Sequence, residues 1–201
     1  MEKIIQKYTK LYRDGLKNLG YGQILEKAQA YKIRLRQMYD SPQFRNHNIY
    51  PSMNVENVYA VIAMCLELRG FGLSDDEIIA FTNVAFRRRK RLFAAIIRAI
   101  DLLPNSFQIA KQWNISDHAK REQDHSITYD TFTADNSRIA YRISKCMYVE
   151  MFAYYGIQEL CKIFCITDTQ AYSNLTRHVE FVRYSDLSDG ESCTDEIYKK
   201  S

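Results

Sequence analysis

Two cysteines stand four residues apart in the segment Cys161-Lys-Ile-Phe-Cys165. Residues at this spacing share one face of a helix, so both sulfur atoms would lie within reach of one bound molecule. Cys146 and Cys193 each lie beside the end of an expected strand. Thiolates bind metals or act as nucleophiles, whereas neutral thiols pack as small apolar side chains. The four cysteines leave three interpretations open: a metal site, a nucleophile with supporting thiols, or part of the core.

The spacing of the cysteines disfavours a metal site. Structural zinc sites usually take two closely spaced pairs of cysteines, and this sequence contains a single such pair. Free cysteine is also among the most frequently buried residue types, so an individual thiol is more often a packing residue than a reactive one. We therefore expect no metal and no cofactor, and for the cluster as a whole we weigh reactive thiols evenly against packed ones.

One acidic residue lies close to the paired cysteines. Asp168 follows Cys165 by three residues and would share its helical stripe if the helix continued. Thr167 and Gln170, however, have the spacing of a capping box. This spacing predicts that a new helix begins at Thr167 and that Asp168 occupies its first turn, where the helix dipole favours an acid.

Positive charge is concentrated in the penultimate strand and in a run of basic residues in the first half of the chain, and the two predict different roles. Arg177 and Arg183 give the penultimate strand a cationic character that suits a bound carboxylate, because arginine can hold a carboxylate through two parallel hydrogen bonds. The densest charge is the run Arg87 to Arg91. Five consecutive helical residues surround the helix axis, so we predict a solvated surface there rather than a nucleic-acid interface.

Several familiar catalytic motifs are missing from the sequence. It contains no serine nucleophile elbow, no phosphate-binding loop and no dinucleotide glycine pattern. His118 and His125 flank a polar connecting stretch, where exposure to solvent is expected, and neither belongs to an H-E-x-x-H metal motif. The thiols and carboxylates of the last third of the chain remain the candidates for chemistry.

The elements that would position these side chains follow from the spacing of apolar residues. Spacings of three and four predict helices through the first half of the chain. Ser74 and Glu77 have the spacing of a capping box and begin a long helix that passes through the basic run to Ile100. Near Asp124 the apolar period changes from helical to alternating, which marks the transition from helix to strand.

Alternation after Asp124 predicts strands that are separated by short helices. In the first strand, Ile127, Tyr129 and Thr131 are expected on one face and Phe132 on the other. The predicted elements are strands over 127–132 and 139–144 joined by a turn at 134–137, short helices over Met147–Tyr155 and Ile157–Cys165, and a final hairpin with strands over 179–184 and 193–198.

The composition agrees with one folded unit. The chain has 201 residues, of which 46% are hydrophobic and 26% charged, with only 7 Gly, 3 Pro and a net charge of +4. Such a chain is long enough to bury a sizeable core. We predict a single α+β domain over residues 1–201, with a mainly helical part over 1–123 followed by an antiparallel sheet interrupted by short helices over 124–201.

The sequence predicts a cytoplasmic protein. No stretch approaches the ~20 apolar residues that cross a bilayer, and the first residues lack the apolar core of a secretion signal. Five cysteines, an odd number at uneven spacing, argue against a disulfide framework. We expect reduced thiols, a small molecule as the partner and no membrane partner.

Several stretches of the C-terminal part carry a family resemblance. They are Tyr141–Cys146, Gly156–Cys161, Phe164–Cys165 with Asp168, and Phe181–Arg183 through Leu187, Gly190 and Cys193. Together they resemble the bacterial L-2-amino-thiazoline-4-carboxylic acid hydrolases over roughly residues 138–198, where cysteines, an acid and a glycine recur in order. In that pattern an acid often follows the last cysteine directly, whereas here Thr194 precedes Asp195.

The resemblance implies hydrolytic opening of a cyclic isothiourea. The carbon between sulfur and nitrogen would be attacked and a thiolate expelled, giving an N-carbamoyl-cysteine. A carboxylate beside the amidine-like nitrogens would favour their protonated form, and a thiolate or a base-activated water would attack. At the matched positions the candidates are Glu159 or Asp168 as carboxylate, Cys161 or Cys165 as nucleophile, Arg177 or Arg183 as anchor for a substrate carboxylate, and Cys146 and Cys193 as further substrate contacts.

A second function is compatible with the same residues. The helical half and the sheet could enclose a small apolar or metal-containing ligand, with the thiols as its contacts. The protein would then be a sensor or binding module with no catalytic activity.

Overall fold

A computed structural model describes residues 1–190 and 192–200, and Glu191 and Ser201 lie outside the described residues. The helices are α1 (Glu2–Asn18), α2 (Ile24–Asp40), α3 (Pro42–Asn46), α4 (Ser52–Gly70), α5 (Asp75–Ala85), α6 (Arg87–Asp101), α7 (Ser106–Gln123), α8 (Met147–Tyr154) and α9 (Lys162–Tyr172), with 3-10 turns at His47–Ile49 and Gln158–Cys161. The strands are β1 (Ile127–Ala134), β2 (Arg138–Cys146), β3 (Val179–Ser185) and β4 (Cys193–Lys199). A helical first half followed by an antiparallel sheet confirms the predicted α+β fold class.

The helical half packs around α4, whose sequence is apolar on nearly every side. Tyr12 of α1 and Tyr31 of α2 stack with 4.6 Å between ring centroids. Gly15 allows α1 to approach α5, since a Cβ atom there would lie 2.7 Å from the buried ring of Phe81. The first two helices are thereby fixed against the rest of the bundle. Within the described residues, no helix is long and apolar enough to span a membrane.

The long helix predicted from Ser74 to Ile100 is in fact two helices. The capping box at its start is present, because the Ser74 hydroxyl accepts from the Glu77 amide and the Glu77 carboxylate accepts from the Ser74 amide at 2.8 Å. The backbone leaves helical geometry at Phe86, whose ring packs edge-on against Tyr8 with 6.1 Å between centroids. Tertiary packing here overrides a helical pattern that continues through the sequence.

The four strands form one antiparallel sheet in the order β1-β2-β4-β3. Its apolar face packs against α6 and α7, where Ile139, Val179 and Ile197 meet Ile97 and Phe107. Among the described residues, strands are confined to the part of the chain after residue 126, as the change of period predicted.

Two β-bulges change which residues of β1 and β2 share a face. Asp130 is an extra residue in β1 and Ser144 an extra residue in β2, on either side of the pair formed by Tyr129 and Ile143. Phe132 therefore lies on the same face as Tyr129, with 6.1 Å between their rings, and the prediction of opposite faces was wrong. An unpaired bulge residue shifts the alternation of every side chain beyond it.

Helix α9 continues through Thr167, so the predicted helix start at that residue was wrong. The Thr167 hydroxyl donates a 3.0 Å hydrogen bond to the carbonyl oxygen of Ile163, one turn earlier, instead of capping a new helix. Threonine within a helix commonly makes this bond. Cys165 and Asp168 consequently lie three residues apart on one uninterrupted helix and share a face.

The stretch around His118 is also more ordered than the sequence indicated. His118 lies on α7 rather than in a connecting loop, and its ring stacks on Phe132 with 4.0 Å between centroids. This contact joins α7 to β1.

Asp101 ties the end of α6 to the segment that leads into β3. Its carboxylate accepts hydrogen bonds from the backbone amides of Thr176, Arg177 and His178 at 2.8, 2.9 and 3.4 Å. Burial alone would raise the pKa of Asp101, but the three amides stabilise the charged form and the pKa is lowered.

We predict that Asp101→Ala lowers the free energy of unfolding by about 1–3 kcal/mol, because three backbone amides lose their charged acceptor. Urea denaturation at neutral pH measures the change. The exposed Asp40, at the end of α2, is a matched control, and Asp40→Ala should change stability by less than about 0.5 kcal/mol. Equal effects of the two substitutions would contradict this role of Asp101.

Candidate active site

A cavity of about 570 Å³ lies between the helical half and the sheet. Its walls come from α6 and α7 on one side, from the bulged face of β1 and β2 on another, and from α9 and the start of β4 on a third. This volume lies within the range of about 300–1,000 Å³ that is typical of small-molecule sites.

Four of the five cysteines line this cavity. Cys146 ends β2, Cys161 ends the 3-10 turn before α9, Cys165 lies one turn into α9, and Cys193 begins β4. The bulge at Ser144 allows Cys146 to share the cavity face with Ile143. All five cysteines of the chain are free thiols. Residues that are far apart in the sequence thus place their sulfur atoms around one space.

The four thiols differ in how readily they ionise. Hydrogen bonding from Cys161 lowers the pKa of Cys165, and the positive charge of Arg183 acts in the same direction. The same interaction, together with burial, raises the pKa of Cys161. Burial raises the pKa of Cys146 to about 11 and that of Cys193 to about 12. Cys165 is therefore the thiol of this cluster that most readily becomes a thiolate.

Asp168 faces the cavity from the same side of α9 as Cys165. Asp168 is exposed at the surface of the cavity. The surrounding protein nevertheless displaces much of the water that would solvate its carboxylate. This desolvation raises the pKa of Asp168 to about 6, although Arg183 acts in the opposite direction. Within the described residues, the carboxyl group makes no hydrogen bond or salt bridge, so it can interact with a ligand.

Arg183 lines the cavity, but its guanidinium group already has partners. Two of its nitrogens donate to the Asp195 carboxylate at 2.7 Å each, and a third donates to the Cys165 carbonyl oxygen at 3.0 Å. Tyr141 donates to the same carboxylate at 3.0 Å. The side chains of Arg183 and Asp195 are only 15% and 1% exposed. This arrangement leaves Arg183 little capacity to hold a substrate carboxylate.

Two of the predicted site residues lie outside the cavity. Glu159 is exposed and forms a 2.6 Å salt bridge with Arg69. Arg177 is exposed on a separate depression that also includes Arg98 and Asp101. Neither side chain shares the space around Cys165, so neither enters the function proposed below.

The helical half supplies cavity residues that the sequence did not single out. Lys90 of α6 is half-buried, and its ammonium group donates to Asn83 and, at 3.5 Å, to Gln170 of α9. Burial lowers its pKa, while the charge of Asp168 acts in the opposite direction. Arg121 of α7 lies in the wall as well and pairs with Asp117 at 3.3 Å. Among the described residues, Lys90 makes no salt bridge, unlike Arg121 and Arg183.

The polar part of this wall could not have been found by counting residues in the sequence. Arg183 and Asp195 are directly opposed in β3 and β4, but a register shift between Arg183 and Ser185 means that a count from the turn would have missed this pair. Lys90 carries no local signal either, because the basic run around it is mostly exposed and the cavity is formed only by packing of distant elements. Within the described residues, no group of three or more His, Cys, Asp or Glu side chains is arranged to hold a metal ion.

The structure is that of an α+β protein in which thiols and an acid surround one cavity. The family model described as L-2-amino-thiazoline-4-carboxylic acid hydrolase matches residues 58–198, and the chain belongs to this family. Searches of curated proteins and of solved structures found no match. The matched range begins within α4 and includes α6, α7, α9, β1, β2, β3 and β4 up to its penultimate residue, which form most of the cavity wall.

We predict that Asp168→Asn stabilises the protein at neutral pH. The pKa of Asp168 in the folded protein, about 6, exceeds its unfolded value of 3.8. The folded state therefore binds the proton more tightly, and ionisation costs stability as the pH rises from about 4 to about 6. The stability of the Asn variant should exceed that of the parent above pH 6, and the two should converge below pH 4. Thermal melts of the two proteins across this pH range measure the effect. A difference in melting temperature that is the same at every pH would contradict the prediction.

Proposed function

We propose that the protein hydrolyses a small cyclic isothiourea or related amidine that carries a carboxylate, as the name of its family suggests. The observation that carries this proposal is the position of Cys165 and Asp168 on one face of α9, both open to the same cavity. A nucleophile and a carboxyl group with a pKa near neutrality are the two groups that the reaction requires.

Cys165 is the proposed nucleophile. Its pKa is lowered while those of Cys146, Cys161 and Cys193 are raised, so it supplies the thiolate at the least cost. Cys161 would donate its thiol hydrogen to that thiolate and keep it charged. In this role Cys161 is a positioning residue rather than the nucleophile.

Asp168 is the proposed partner of the amidine-like nitrogens. A cationic amidine would replace the missing charge partner of Asp168, and its carboxylate would in turn hold the amidine in the protonated, electrophilic form. Since the pKa of Asp168 is about 6, the group is mostly ionised at neutral pH and can also accept a proton from water.

The chemistry can be written with all atoms accounted for. The Cys165 thiolate adds to the ring carbon between sulfur and nitrogen, the bond from that carbon to the ring sulfur breaks, and the released thiolate takes up a proton. Water then adds to the same carbon, Asp168 accepts its proton, and the Cys165 thiolate leaves. The product is an N-carbamoyl compound with a free thiol, formed from one substrate and one water.

Lys90 is the proposed anchor for the substrate carboxylate. It lies in the cavity wall without a carboxylate partner among the described residues, and partial burial makes its charge costly until an anion binds. Its amide neighbours Asn83 and Gln170 hold the ammonium group between α5, α6 and α9. A cytoplasmic location is proposed as well, since a thiolate nucleophile and four further free thiols suit a reducing compartment.

We predict that Cys165→Ser abolishes turnover of L-2-amino-thiazoline-4-carboxylate, because a hydroxyl is a far weaker nucleophile than a thiolate. The melting temperature should hardly change, and Cys165→Ala should cost about 1 kcal/mol of stability. Release of the product thiol, measured with a chromogenic disulfide reagent, follows the reaction. Cys161→Ser is the matched control, because its hydroxyl still donates a hydrogen bond and activity should persist.

Two outcomes would contradict parts of this proposal. If folded Cys165→Ser and Cys165→Ala proteins turn over at the parent rate, the nucleophile is a water activated by Asp168. If the parent protein binds the thiazoline and releases no thiol, the chain is a binding module rather than a hydrolase.

We predict that Lys90→Met raises KM for the carboxylate substrate about 10-fold to 100-fold, because a hydrogen bond to a charged group is lost. The rate constant kcat should change much less, since the anchor is remote from the reacting carbon. Arg91→Met is the matched control, because Arg91 is exposed, adjacent in sequence and absent from the cavity wall. For a substrate whose carboxylate is converted to an amide, Lys90→Met should leave KM unchanged. Equal KM values for the two variants would assign the anchor to another residue.

A further inference from the structure

One part of the cavity wall formed by α6 and α7 is apolar and open to solvent. Leu92 and Ile96 lie one turn apart on α6, and Trp113 lies on α7. They are 64%, 47% and 40% exposed, unusually high values for large apolar side chains that line a cavity. Exposure of such side chains to water is costly, and a contiguous set of them often marks a binding surface.

This wall is continuous with the reactive end of the cavity. Phe93 lies between the two, with ring centroids 6.3 Å from Trp113 and 6.2 Å from Tyr172. Tyr172 lies one turn after Asp168 on α9 and also lines the cavity. A molecule whose head lies at Cys165 and Asp168 can therefore extend over Phe93 to the apolar wall.

The size of the cavity exceeds what a thiazoline carboxylate needs. A single five-membered ring with two small substituents would leave much of about 570 Å³ filled only by water. Cavities of this size usually enclose larger, drug-sized ligands. Arg121, on the same helix as Trp113, is already paired with Asp117 at 3.3 Å and requires no further charge from a ligand.

On the basis of the proposed function, we propose that the natural substrate carries an uncharged alkyl or aryl group that lies against Leu92, Ile96 and Trp113. The thiazoline ring has three carbons, of which one reacts and one bears the carboxylate. The apolar group would be attached to the third ring carbon. The α6–α7 wall then determines which members of the substrate class bind.

Trp113 makes this proposal directly measurable, because it is the one tryptophan in the sequence. The probes are L-2-amino-thiazoline-4-carboxylate and its analogue with a benzyl group on the free ring carbon. The benzyl analogue should shift Trp113 emission to shorter wavelength and bind about 10-fold or more tightly than the unsubstituted compound. Fluorescence is read immediately after mixing, and kcat/KM is measured for both compounds in parallel.

Substitutions in the wall separate the apolar contact from general effects on the fold. Leu92→Ala should weaken binding of the benzyl analogue about 5-fold to 10-fold and change binding of the unsubstituted compound less than about 2-fold. Leu103→Ala is the matched control, because Leu103 is 44% exposed beyond the end of α6 and does not line the cavity. It should leave the affinities for both compounds unchanged.

The outcomes distinguish this inference from the proposed function. Equal affinity for the two compounds, without a change in Trp113 emission, would overturn the apolar site even if the unsubstituted compound is hydrolysed. Tight binding of the benzyl analogue with the emission shift, but hydrolysis of neither compound, would support the apolar site and overturn the proposed reaction.

Discussion

The buried ion pair between Arg183 and Asp195 holds the candidate site together. It joins β3 to β4, and through Tyr141 and the Cys165 carbonyl oxygen it also binds β2 and α9. Removing one member of a buried pair commonly costs 3–5 kcal/mol, because the remaining charge is left unpaired. The position of α9 against the sheet, and with it the direction of the Cys165 side chain, depends on these contacts.

The same pair sets the charge balance of the cavity. Asp195 neutralises much of the positive charge that Arg183 would otherwise present to Asp168, so desolvation dominates and the pKa of Asp168 rises. Cys165 differs because it also receives a hydrogen bond from Cys161, which favours its thiolate form. Local contacts thus shift the pKa values of two neighbouring groups on one helix in opposite directions, as is common in active sites.

Local pattern in the sequence predicted most of the fold, including the Ser74 capping box and the strands after residue 126, because a cap joins near neighbours and a strand shows alternating apolar residues. It failed at Thr167, whose hydroxyl bonds within the helix, and at Phe86, where tertiary packing ends a helix. The sequence showed that four cysteines lie in the last third of the chain and left open whether they meet in space. Lys90 was not predicted, since a wall built from distant helices leaves no local pattern.

The two bulges in the β1–β2 hairpin are a matched pair. Each strand has one extra residue, and the two register shifts cancel. The pairing at one end, Ile127 with Cys146, is therefore in register with the pairing at the other end, Ala134 with Ile139. An insertion or deletion at one bulge alone would invert every side chain between it and the hairpin tip. A change of length at one bulge must therefore be matched by a change at the other, which fixes the relative lengths of the two strands of this hairpin.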